Sequence, residues 1–147
     1  IPKDGKKIDP SSYVNLEGIL MNLSKLSVLQ NINSITIYLD IKYINYSDAR
    51  QDYQYPKLSK KICVLSSSSP SETSQEIDEM KHSIFSYFLM KGMKGDAIGD
   101  DNVLEIGELA EYLYRKIPEY TSKTNGVMLQ NPEFIGSDLK RVILDLK

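Results

Sequence analysis

The sequence predicts an α/β fold, a mainly parallel sheet flanked by helices, on three observations. Two short runs, Ser34-Ile35-Thr36-Ile37-Tyr38-Leu39 and Lys61-Ile62-Cys63-Val64-Leu65, are β-branched and apolar on both faces, the pattern of strands covered from both sides. A stretch opening at Asn15 places apolar residues at Leu16, Ile19, Leu20, Leu23 and Leu26, the i, i+3, i+4, i+7 spacing of an amphipathic helix. Strand and helix patterns then alternate, which is how sheets with covering helices are wound. A chain of 147 residues, 41% hydrophobic and 26% charged, has the size and composition of one soluble globular domain, read as spanning 1–147.

In chain order, residues 1–10 are polar and rich in Lys, Asp, Gly and Pro, and read as a loop leaving an earlier strand that the sequence does not show. Asn15 is placed to cap the helix that follows. After an Asn-rich turn comes the first strand, then a tyrosine-rich stretch from Lys42 to Ser59 without a sustained period, then the second strand. Ser66 to Glu79, dominated by Ser, Glu, Thr and Pro, is expected to be a mobile surface loop, too polar to bury. Ile84, Phe85, Phe88 and Leu89 mark a second helix, ended by the glycines between Gly92 and Gly99. Leu109, Tyr112, Leu113 and Ile117 mark a third, expected to stop at Pro118, and Val142-Ile143-Leu144 is expected to form a final strand.

Charge narrows the partners. With 18 basic against 20 acidic residues and no basic run, there is no electrostatic footprint for nucleic acid and no polybasic patch for a membrane surface, and no apolar stretch reaches bilayer length. A protein or peptide partner is expected. The single cysteine excludes an internal disulfide and fits a reducing, cytoplasmic setting. The first residue is not methionine, which reads as a processed or excised fragment.

Two phrases carry a family resemblance. One is Ile35-Thr36-Ile37-Tyr38-Leu39-Asp40-Ile41-Lys42-Tyr43-Ile44-Asn45; the other is Lys81-His82-Ser83-Ile84-Phe85-Ser86-Tyr87-Phe88-Leu89-Met90-Lys91-Gly92-Met93-Lys94-Gly95. With Ile1-Pro2-Lys3-Asp4 before them, the run Val64 to Ser69 between them and Leu104 to Leu109 after, the order resembles the caspase and metacaspase-like cysteine peptidases over nearly the whole chain. The resemblance implies a caspase-like (caspase-hemoglobinase) sheet, incomplete at its N-terminal side. Aligning Leu39-Asp40 on the family's Leu-Asp puts Lys42 where the nucleophilic cysteine belongs, and an ammonium group cannot supply a thiolate. The family's histidine lies upstream of Ile1, so no catalytic residue is expected in this chain.

The resemblance therefore implies an inactive caspase-like domain that regulates or scaffolds a protease system, with an active paralogue or the missing N-terminal fragment as partner and a dimer left open. Two alternatives stand beside it: one subunit of an active endopeptidase cleaving after Arg or Lys, with catalytic residues supplied elsewhere, and a non-catalytic peptide-binding module. Asp40 is implied as the acid of a pocket for basic residues, with Lys42 near enough along an extended chain to neutralise it. Ser66, Ser67 and Ser68 are candidates for a substrate-binding edge. Cys63 reads as a buried core thiol and His82 as a helix-start residue. No cofactor is expected, and no metal: the acidic stretch from Asp96 to Glu108 aligns with a calcium loop only at Asp101 and Glu108.

Overall fold

The computed structural model describes residues 14–29, 31–41, 55–69, 72–77, 81–124 and 129–145. Helix α1 (Leu16–Leu29) starts where its cap predicts: the Asn15 side chain accepts from the Gly18 amide at 2.9 Å. At its other end Lys61 Nζ donates to the Ser27 carbonyl at 3.1 Å, a cation placed at the negative end of the helix. Strand β1 (Ile35–Leu39) follows and pairs in parallel with β2 (Ile62–Ser66), from Ile35 opposite Ile62 to Leu39 opposite Ser66. On the other side of β2 lies β6 (Glu133–Ile135), antiparallel, giving the order β1-β2-β6.

The alternation of side chains along β2 divides the interior in two. Ile62 and Val64 face α1, packing with Leu20, Leu16, Leu23 and the β1 residues Ile35, Ile37 and Leu39. Cys63 and Leu65 face the opposite way, into the larger core built by α2 (Ile84–Lys91) and α3 (Ile106–Lys123), where Ile84, Phe85, Leu109, Leu113 and Ile117 are fully enclosed. Every residue of β2 is buried, whereas every residue of β1 is only half-buried. Among the described residues the centre of the sheet is covered on both faces and β1 only partly so.

Two small antiparallel ribbons complete the described elements: β3 (Glu76–Ile77) with β4 (His82–Ser83), and β5 (Val103–Glu105) with β7 (Val142–Asp145). The architecture is α/β as expected, yet the expected mainly parallel sheet is corrected to a mixed one. Among the described residues a single pair is parallel and the other pairings are antiparallel. The final strand expected at Val142-Ile143-Leu144 is present as β7, but strands of two or three residues leave too short a pattern to announce themselves, and β6 joins the sheet from beyond α3.

Two further expectations are corrected. The segment after β2 is not simply a surface loop: Ser66, Ser67 and Ser68 are wholly buried and Ser74 nearly so. Nor does α3 stop at Pro118, which lies inside it. Pro118 lacks an amide to donate, but Ile117 and Thr121 on either side are buried, and Thr121 bonds its hydroxyl to the Pro118 carbonyl at 3.3 Å. Tertiary burial holds the last turn. Helix α2 runs on into a wide π-type turn (Gly92–Asp96) closed by Gly95, whose φ of 132° suits only glycine.

Leu113 is fully buried at the heart of the larger core. Leu113→Ala is expected to lower the unfolding free energy by ~2–5 kcal/mol, read from the midpoint of a denaturant titration with its slope unchanged.

Candidate functional site

The strongest polar constellation lies at the carboxyl ends of β1 and β2. Asp40, one residue beyond β1, is exposed, and its carboxylate gathers three serine hydroxyls. Ser74 donates to Oδ1 at 3.1 Å, while Ser83 and Ser86 both donate to Oδ2. Ser83 is also the N-cap of α2, accepting from the Ser86 amide at 2.9 Å. The carboxylate thus sits at the positive end of α2, pinned by that helix and by the segment after β2. Where a strand-end aspartate would be expected to take loop amides, this one takes hydroxyls. Among the described residues two hydroxyls donate to Oδ2 and one to Oδ1, fewer than a carboxylate can accept.

Ser66, Ser67 and Ser68 stand beside Asp40 in the fold but turn inward. Ser66 donates to the Ser68 carbonyl at 3.0 Å, and Ser67 donates to the Ile41 carbonyl at 3.2 Å while accepting from the Ile41 amide at 3.3 Å. The Ser67 amide donates to the Leu39 carbonyl at 2.7 Å. The Ser67 carbonyl is capped by the side chain of buried Gln130, at 2.7 Å, whose oxygen in turn accepts from the Gln75 amide at 2.9 Å. These backbone groups are committed inside the protein rather than offered along an edge. Lys42 lies outside the described residues, and with it the Asp40–Lys42 approach.

Sequence reasoning singled out Asp40 and not its partners. Ser83 could have been found as an N-cap before the apolar run of α2, with Ser86 at the position whose amide it caps. Ser74 and Gln130 carried no local signal.

Cys63, the second residue of β2, has no exposed surface, its thiol directed to the Asp138 carbonyl at 3.9 Å. A Cβ on Gly136 would come within 2.8 Å of its sulfur, so the chain closes over the thiol because position 136 is glycine. His82 is exposed on β4, opposite Ile77, on a different element from Cys63.

The acidic stretch resolves into local caps. Asp101 accepts from the Val103 amide at 3.0 Å, and Glu108 accepts from the Glu105 amide at 2.9 Å in a capping box that starts α3. Asp96 accepts from the Tyr112 hydroxyl at 3.2 Å. Burial, then the charge of Asp96, pushes that hydroxyl up to about 12. Asp96, Glu108, Glu111 and Arg115 border an open cavity of about 450 Å3 above α3. Among the described residues no group of three or more His, Cys, Asp or Glu is arranged to hold a metal ion, and no helix is long and apolar enough to cross a membrane.

A carboxylate pair lies where β2 meets β6. Glu72 accepts from the Asn131 amide at 2.7 Å and from its side-chain nitrogen at 2.6 Å. Glu133, opposite Ser66, has its Oε2 buried without a partner among the described residues. Burial, and then the charge of Glu72, holds the Glu133 carboxyl above the usual carboxylate range. The folded chain therefore keeps this proton to higher pH than the unfolded chain does. That contribution is full at low pH and is lost as pH rises through the folded value. Glu133→Gln is expected to raise the melting temperature at neutral pH by about 2–4 °C, with the gain vanishing near ~pH 4 when scanning calorimetry is repeated there.

No family model, curated protein or solved structure matches this chain.

Proposed function

We propose that this chain is a catalytically inactive caspase-like domain, the C-terminal portion of one, that acts as a regulatory or scaffolding partner in a protease system. The observation that carries the reading is the state of the only thiol. A cysteine peptidase needs an accessible thiolate beside a base. Cys63 is the chain's one cysteine, it has no exposed surface, and the one histidine stands on another element. The lysine at position 42 in the family's nucleophile column points the same way. A parallel strand pair bearing an acid at its carboxyl end, flanked by helices, agrees with the fold the resemblance implies.

Incubating the native protein with a thiol-reactive peptide probe is expected to leave this chain unlabelled, with Cys63 reacting only in denaturant. Stoichiometric labelling of the folded chain would sink the proposal. Labelling of a second chain in material purified with its partners would favour the alternative that this is one subunit of an active endopeptidase.

A second reading, capture of a peptide without cleavage, is favoured by Asp40 alone. Its carboxylate is exposed and held in place by three hydroxyls, and among the described residues no cation pairs with it. A guanidinium or ammonium group would meet it as a charge-assisted hydrogen bond. Asp40→Asn keeps an acceptor for the serines and removes the charge. It is expected to weaken retention of Arg- or Lys-containing peptides at least ~10-fold by fluorescence anisotropy, consistent with a hydrogen bond to a charged group of about 1.5–3 kcal/mol. Equal retention by both forms would leave Asp40 a purely structural acid.

A further inference from the structure

The open cavity above α3 has two walls of different origin. One is α3 itself, where Glu108, Glu111, Tyr112 and Arg115 fall at i, i+3, i+4 and i+7 and so share a single stripe. The other is the π-type turn and the residues after it, which bring Asp96 and the backbone of Ala97 to Gly99 to the same space. The volume between them is about 450 Å3, within the range of small-molecule sites.

Close contacts fix the two walls against each other. A Cβ at Gly92 would come within 2.6 Å of the Leu109 side chain, so the turn seats on α3 because position 92 is glycine. Tyr112 is only 4% exposed, and its hydroxyl donates from the helix to Asp96 Oδ2 on the turn at 3.2 Å. Glu108 is held through Oε2, which accepts from the Glu105 amide at 2.9 Å. Its Oε1 lies against Gly99, where a Cβ would come within 2.8 Å of it. Two carboxylates from different elements therefore border one space in fixed positions.

The charges are unequal and stand at two ends. Glu111 and Arg115 are one turn apart, a spacing at which opposite charges attract on a helix, yet among the described residues neither takes part in an ion pair. From Glu108 to Arg115 the axis of α3 rises ~10 Å, which separates the acid-rich end from the guanidinium. Three carboxylates against one guanidinium suit a ligand with a single carboxylate and more than one cation.

We propose that this cavity binds a free basic α-amino acid of the lysine class. Its carboxylate pairs with the two-pronged guanidinium of Arg115, its α-ammonium meets Glu111 one turn back, and its side-chain ammonium reaches Asp96 and Glu108. Ala97 and Ile98 supply an apolar wall for the methylenes between. A metal ion or a simple amine would have no use for the guanidinium, and a simple carboxylate none for three acids. Asp40 stands at the amino end of α2 and this cavity beyond its carboxyl end, so the site does not rest on the function proposed above.

The test is a titration of the complete chain, followed by NMR at the amides of Ala97 to Gly99. Three probes are compared: L-lysine, cadaverine, which lacks its carboxylate, and L-norleucine, which lacks its side-chain ammonium. Saturable shifts are expected with L-lysine, and binding at least ~10-fold weaker with each of the other two. Arg115→Gln is expected to weaken L-lysine at least ~10-fold without weakening cadaverine, and Glu111→Gln to weaken L-lysine and L-norleucine alike. Both positions are exposed, and an unchanged melting temperature shows that each variant is folded. The absence of saturable shifts with L-lysine overturns the proposal. So does cadaverine binding as tightly as L-lysine, which would make the cavity a plain acidic surface, and so does L-lysine binding that Arg115→Gln leaves intact.

Discussion

Burial of β2 on both faces is the constraint from which the rest of the structure follows. A strand enclosed by α1 on one side and by α2 and α3 on the other leaves no solvent for its polar groups or for those of the residues just beyond it. Ser66, Ser67 and Ser68 emerge from it still fully buried. Their polar groups have to find partners within the protein, and Ser67 does so from distant parts of the chain: its amide with Leu39 at the end of β1, its hydroxyl with Ile41 after it, and its carbonyl with Gln130 ahead of β6. The carboxyl end of the sheet is consequently a knot of side chain to backbone bonds. Beside it Asp40 is held through Ser74 on one side and the start of α2 on the other.

That arrangement separates two kinds of polar residue that look alike in composition. The serines of 66–68 satisfy the interior, and the serines at 74, 83 and 86 present an acid to solvent. An unpaired buried hydroxyl or carboxylate is costly, so the two exceptions among the described residues, Ser68 Oγ and Glu133 Oε2, mark where packing has taken precedence over hydrogen bonding. Both lie where β2 leaves the sheet alongside β6. Asp40 lies apart from them, at the end of β1, whereas Glu133 is on the opposite neighbour of β2.

What could be read in advance depended on the range of the interaction responsible. Helix α1 was legible because Asn15 and the apolar spacing from Leu16 to Leu26 act within four residues, and β1 and β2 because both faces of each are apolar. The extension of α3 through Pro118 was not, since it rests on burial of Thr121 against the core rather than on local propensity. Asp40 was singled out only by the family resemblance, and its serine partners lie 34, 43 and 46 residues away. The Gln130 bond to Ser67 spans 63 residues, and nothing in a polar serine run distinguishes enclosure from exposure without it. Short ribbons such as β3 with β4 carry no period at all.

Arg141 ties the start of β1 to the segment just before β7. Its buried guanidinium donates Nη1 to the Ile35 carbonyl at 2.8 Å, across 106 residues, and Nε pairs with Asp138 at 3.3 Å. During synthesis β1 therefore leaves the ribosome long before the residue that secures its first carbonyl exists. Closing so long a loop is entropically unfavourable and slow, and it comes late. Until then Ile35 to Leu39 is an uncharged β-forming segment in a growing polypeptide, a stretch that chaperones or its own later residues must shelter. The fastening of β1 to the far end of the fold is thus a late event, and timing, as much as stability, is written into the position of one arginine.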